Sequence, residues 1–153
     1  MRQVSKIQQM LNEIRFKSDE ADREAMYSVV DELRKLEHPR KYLPQIFQWL
    51  EGNSKYDLGS PGPFVHFIEE EFDYLDLLLE SLKRKPTDIT IWMANRIANS
   101  KNDQSEIVSW IEHLKAASVH SLADESTVES ALDFAEYQSA RLALTGQSTE
   151  NCQ

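Results

Sequence analysis

The sequence predicts an all-α protein, and three observations carry that prediction. Glycine and proline are scarce, four and five residues in a chain of 153, so long stretches run without a breaker. β-branched residues do not gather into strand-like runs. Apolar residues recur instead at alternating spacings of three and four in about seven segments, one buried face per helix. Short links between the segments imply antiparallel hairpins, stacked as a helical repeat or gathered into an irregular bundle. The chain is long enough for a real core. It reads as a single helical domain over 1–146, followed by a polar, disordered tail at 147–153.

A first helix over Gln3–Phe16 puts Val4, Ile7, Leu11 and Ile14 on one face. Ser18-Asp19 reads as the cap of a second, because both side chains accept from the free N–H groups of a first turn. That helix is expected to bury Met26, Val29, Val30, Leu33 and Leu36, and to stop at His38-Pro39, since the residue before proline avoids the α region. A third, Lys41–Leu50, offers Leu43, Ile46, Phe47 and Leu50, with Trp49 at the edge of that face and Pro44 confined to its first turn. Gly59-Ser60-Pro61-Gly62-Pro63 fixes a turn. From it a fourth helix is expected to run unbroken from Phe64 to about Lys85, with Val65, Ile68, Phe72, Leu75, Leu79 and Leu82 as its core stripe. Thr87 or Asp88 caps a fifth, Ile89–Ser100, whose apolar arc is Ile89, Met93, Ala94, Ile97 and Ala98. Asn102-Asp103 starts a sixth, Gln104–Ser118, burying Ile107, Val108, Ile111 and Leu114, with Trp110 bordering them. A seventh, Thr127–Leu144, offers Val128, Ala131, Leu132, Ala135 and Leu142.

Charge separates the two halves. The net charge is −9, from 26 acids against 17 bases. Residues 1–61 hold ten acids and ten bases, whereas 62–153 hold sixteen and seven, so the whole excess follows the Ser-Pro-Gly-Pro turn. Such a surface argues against nucleic acid, whose phosphates need cations. It suits a basic protein partner through steering and complementary contacts; acidity for solubility alone is the plain alternative. The single cysteine, Cys152, excludes an intrachain disulfide. No apolar run reaches the ~20 residues of a membrane span, and the N-terminus lacks a signal-peptide core. A reducing cytoplasm is the expected location.

Two surfaces are candidate binding sites. On the fourth helix His66, Glu69, Asp73, Asp76 and Glu80 form a stripe one residue over from the core face, bordered by Glu70. Between Phe64 and Leu82 there are six carboxylates and no Lys or Arg, so no cation sits at i±3 or i±4 to relieve the repulsion. A partner that brings the cations would account for the pattern; a solvated helix face is the other reading. On the fifth helix Trp92 lies outside the apolar arc beside Asn95, Arg96 and Asn99, the combination found at interface hot spots. The competing reading is a Trp covered by a neighbouring helix with Arg96 stacked on it.

Enzyme readings lack their parts. His66-x-x-Glu69 and His66-x-x-x-Glu70 place metal-capable groups on one face, but a di-metal site needs Glu-x-x-His pairs on two helices, and His38, His113 and His120 lack such partners. Glu69-Glu70-x-x-Asp73 is similar to the acidic motif of all-α nucleotide pyrophosphatases, whose second acidic motif is missing from the next helix. There is no phosphate loop, no His-Glu-x-x-His and no activated Ser or Cys. The expectation is therefore a binding protein with no catalytic residue, no metal and no cofactor.

Ser60-Pro61-Gly62-Pro63-Phe64-Val65-His66-Phe67-Ile68-Glu69, followed by Pro86-Thr87 and Ile91-Trp92-Met93-Ala94-Asn95-Arg96-Ile97, resembles a group of small all-α bacterial proteins. They are the HEAT-like immunity proteins of contact-dependent growth-inhibition and other polymorphic toxin systems. The resemblance covers roughly residues 40–115. It implies stoichiometric neutralisation of a cognate toxin domain. Many such toxins are nucleases with basic clefts, and the charge map adds the idea that an acidic helix occupies such a cleft as a phosphate mimic. The alternative is a helical-repeat adaptor with an unrelated partner.

Overall fold

The computed structural model describes residues 5–150, with side chains through Thr145. The fold is all-α: the chain is 72% helical with eight α-helices and one short two-stranded sheet among the described residues. It divides into two compact units, Met1–Ser81 and Leu82–Gln153. The expectations for Val4 and Cys152 lie outside the described residues.

In the first unit, Ser5 caps α1 (Lys6–Asn12) by accepting from the Gln8 amide at 3.1 Å. The helix is shorter than the periodicity predicts. Phe16–Lys17 (β1) and Glu20–Ala21 (β2) form an antiparallel hairpin with Phe16 opposite Ala21 and Lys17 opposite Glu20. Its two-residue loop is Ser18-Asp19, with φ of 52° and 65°. Paired positive φ is the turn that matches strand twist, and Asp tolerates it better than most residues. Ser18-Asp19 is therefore a hairpin turn, and the cap of α2 (Arg23–Arg34) is Asp22, whose side chain accepts from the Ala25 amide.

Aromatic packing rewards the early end of α1. Phe16 stacks on Tyr56 with centroids 4.1 Å apart and lies 6.0 Å from Trp49, which meets Phe64 edge-on at 5.3 Å. Trp49 is buried, and its Nε1–H donates to the Leu11 carbonyl at 3.1 Å. Arg23 ties the hairpin to the loop beyond α3, donating to the Ala21 and Asp57 carbonyls and to Asp57 Oδ1 at 3.0–3.1 Å. A 3-10 turn (Pro39–Tyr42) leads into α3 (Leu43–Gly52), which buries Leu43, Ile46, Phe47, Trp49 and Leu50.

The predicted unbroken helix is two helices. α4 (Pro63–Glu71) and α5 (Leu75–Arg84) are separated at Phe72, whose backbone is extended at φ −139° and ψ 155°. Glu69, Glu70 and Glu71 crowd the last turn of α4, which has no base, and carboxylates there oppose the helix dipole. The break also lets Phe72 meet Phe67 edge-on at 5.2 Å; five residues apart on one helix they would point about 140° apart. Leu75 is consequently exposed, and α5 buries Leu77, Leu78, Ser81 and Leu82. At the entry to α4, Gly59 and Gly62 hold φ of 112° and 95°, and a Cβ on Gly62 would collide with the Leu58 carbonyl oxygen.

The second unit is built on α6 (Asp88–Ser100), α7 (Gln104–Ser118) and α8 (Glu125–Glu150), each packed on the other two. Thr87 and Thr90 form a reciprocal capping box on α6. α7 has the predicted boundaries, with Asp103 at its cap position. The buried positions differ from the hydropathy reading. On α7 Val108 is exposed, while Trp110, bordering the apolar face, is buried as its position suggests. On α8 the buried residues are Thr127, Ala131, Ala135 and Gln138, with Leu132 outside. Ala131 and Ala135 lie on the buried side of α8, and Leu132, about 100° round the helix from Ala131, is 51% exposed. The expected tail at 147–153 falls partly within α8, which runs to Glu150, and otherwise outside the described residues.

Candidate functional site

The acidic stripe is an edge shared by α4, the Phe72–Tyr74 link and α5. His66, Glu70, Asp73, Asp76 and Glu80 are exposed and Glu69 half-buried. The chain supplies cations that local spacing could not reveal. Arg34 on α2 lies 3.9 Å from both Glu70 and Glu71, and its guanidinium sits 5.5 Å over the Phe67 ring. Arg40 in the 3-10 turn pairs with Asp76 Oδ1 at 3.1 Å and donates to the Asp73 carbonyl at 2.9 Å. Tyr74 donates its hydroxyl to Glu69 at 3.4 Å. Asp73 and Glu80 form no ion pair among the described residues. Two arginines distant in sequence thus answer part of the charge that a cation-bearing partner was expected to account for.

The Trp92 group also resolves into separate roles. Trp92 is half-buried, and the Arg96 guanidinium stacks 4.7 Å from its ring centroid. Arg96 itself is exposed. Asn95 is buried at 9% exposure, so it is not a surface contact. Its Oδ1 accepts from Gln138 Nε2 at 2.7 Å, and Asn99 Oδ1 accepts from the same nitrogen at 2.8 Å. Both asparagines, expected to face a partner, are engaged in joining α6 to α8. Asn99 is exposed as well as bonded to Gln138, so Trp92, Arg96 and Asn99 remain as the candidate anchor.

What the sequence reading missed is a second acidic ladder. On α8, Glu125, Glu129, Asp133 and Glu136 are exposed at spacings of four, four and three, and none forms an ion pair among the described residues. Glu125 sits in the first turn, where the dipole favours it; the other three lie beyond that reach. Like charges at this spacing cost roughly 0.2–0.5 kcal/mol per pair. The one basic residue of α8, Arg141, turns inward to the Ala98 and Lys101 carbonyls at 3.1 and 3.2 Å and to Gln138 Oε1 at 2.6 Å. Three acids at helical spacing were legible in the sequence; what hid them was the expectation that Leu132, among them, was core.

No group of three His, Cys, Asp or Glu stands close enough to share a metal ion among the described residues. Nor is any of the described helices long and apolar enough to cross a membrane. The proton affinity of His113 is lowered. Burial lowers it first, Lys83 lowers it further, and Glu112 opposes both. Compared with known protein families, curated proteins and solved structures, the chain matches none.

Proposed function

We propose that this chain is a stoichiometric protein inhibitor: an immunity protein of the HEAT-like kind that binds a basic toxin domain, with a nuclease as the expected class. The observation that carries the reading is the carboxylate edge from half-buried Glu69 to exposed Glu80, on which Asp73 and Glu80 form no ion pair among the described residues. A basic cleft is the complement of that edge, and desolvating it against protein cations would give both fast association and a tight fit. Trp92, with Arg96 stacked on it, supplies a planar amphipathic anchor of the sort that dominates interface energies. The resemblance across residues 40–115 supports the same reading. The mode of action is occlusion without catalysis, metal or cofactor, in the cytoplasm where a delivered toxin would act.

The test is a search of the neighbouring genes for a toxin, followed by co-expression with the toxin found. Growth protection by the wild-type chain is expected, together with a stable one-to-one complex. Charge reversal at Asp73 and Glu80 should slow association about tenfold or more at low salt. Absence of a neighbouring toxin gene and of protection would overturn the reading in favour of a helical-repeat adaptor. An unchanged association rate would remove the α4–α5 edge from the mechanism.

A further inference from the structure

We infer that the outer face of α8, from Glu129 to Leu144, is a docking surface for a basic amphipathic helix of another protein. It lies wholly in the second unit, goes beyond the α4–α5 edge, and does not depend on it. The helix is buried at Thr127, Ala131, Ala135 and Gln138, and no residue from Ser139 to Thr145 is buried. Opposite that face, Glu129, Asp133 and Glu136 lead into Tyr137, Ala140 and Leu144. At ~100° per residue these six share an arc of about 100°. Tyr137 is 53% exposed and Leu144 65%, a large apolar surface in water at one end of an acidic track.

Charge decides the occupant. Arg141 points inward, so nothing on α8 balances the three acids. A partner helix laid along this face would set its cations over Glu129, Asp133 and Glu136 and its apolar side chains over Tyr137, Ala140 and Leu144. This is recognition of an amphipathic helix by complementary stripes. A second copy of the chain is a poor occupant, because each copy carries a net charge of −9 and would bring the same acids. An anionic lipid surface is repelled for the same reason.

The probe is a synthetic amphipathic peptide with lysines toward one end and leucines toward the other at helical spacing, with a lysine-to-glutamate counterpart. Each is titrated into the full-length protein while backbone amide shifts are followed. Shifts confined to residues 129–144 are expected with the lysine peptide, and none with the glutamate one. The variant E129K/D133K should weaken binding about tenfold or more at low salt. Tyr137→Ala and Leu144→Ala should each weaken it at high salt, where charge is screened, and D73K/E80K should leave it unchanged. All of these positions are exposed, and retained helical circular dichroism confirms that each variant folds. The inference is overturned if E129K/D133K binds like wild type, or if the apolar variants bind like wild type, which would reduce the contact to unspecific charge attraction. It is equally overturned if sedimentation finds a wild-type dimer that Leu144→Asp abolishes, which would give the face to a second copy.

Discussion

Gln138 on α8 donates from Nε2 to Asn95 Oδ1 on α6 at 2.7 Å, a hydrogen bond between two buried side chains. The same nitrogen donates to Asn99 at 2.8 Å, and Gln138 Oε1 accepts from Arg141 at 2.6 Å. Every polar atom of that fully buried amide is therefore engaged, which fixes the register of α8 on α6 in a way that the alanines beside it could not. Replacing Gln138 by Leu would strand Asn95 Oδ1 in the interior. The expected loss is about 1–3 kcal/mol, read as a lower urea midpoint. In the double variant with Asn95→Ala the two losses should fall short of their sum, and strict additivity would mean that the pair is not coupled.

Arg40 modulates the acidic edge from outside it. Its pairing with Asp76 is exposed, so Arg40→Gln should cost no more than about 1 kcal/mol of stability. The same substitution leaves the edge more negative. Association with a basic partner is then expected to speed up a few-fold at low salt and to return to the wild-type rate as salt screens the charge. Stopped-flow mixing measures both, and a slower rate would place Arg40 itself in the contact.

Fold class was legible because it rests on period alone. The α7 boundaries, the α6 cap and the buried state of Trp49 and Trp110 all follow from local pattern. The errors come from contacts that the period of a single helix does not contain, some five residues apart and some far apart in sequence. Ser18-Asp19 is chemically equal to a helix cap, and only pairing of Phe16 with Ala21 makes it a hairpin turn. The fourth helix reads as continuous until Phe72 finds Phe67. Counting neighbours along one helix could not reveal Arg34 and Arg40, which approach the acidic edge from elsewhere in the first unit. Asn95 looks like a surface amide until Gln138 lies over it.

Trp49 joins the first unit through a polar and an aromatic contact at once. Trp49→Phe keeps much of the ring but removes the donor to the Leu11 carbonyl, at the end of α1. The Leu11 carbonyl keeps the longer bond from the Ile14 amide at 3.3 Å, so a loss of about 1 kcal/mol is expected from the missing hydrogen bond, with an addition from the volume left behind. Thermal melting followed by circular dichroism checks it. The Phe16→Ala variant should make the Trp49→Phe loss smaller, since Phe16 is part of what holds the indole in place.

His113 gives the fold a dependence on pH whose sign is fixed by its surroundings. The ring lies 5.2 Å from that of Trp110 on α7, and burial is the largest of the influences that hold its pKa below the ordinary histidine value of about 6.5. The native state therefore prefers the neutral imidazole, while the unfolded chain takes up a proton near the ordinary value. Unfolding is accompanied by proton uptake in the interval between the two, and stability falls as the pH drops through it. The contribution is fully present above about pH 6.5 and is lost as the pH falls through the folded-state pKa. Urea midpoints at pH 7.5, 6.5 and 5.5 should drop more steeply for the wild type than for His113→Gln, which cannot titrate. Lys83→Met should shallow the wild-type slope in part, because the Lys83 charge is the second influence lowering the pKa. Parallel slopes for wild type and His113→Gln would show that another group carries the dependence.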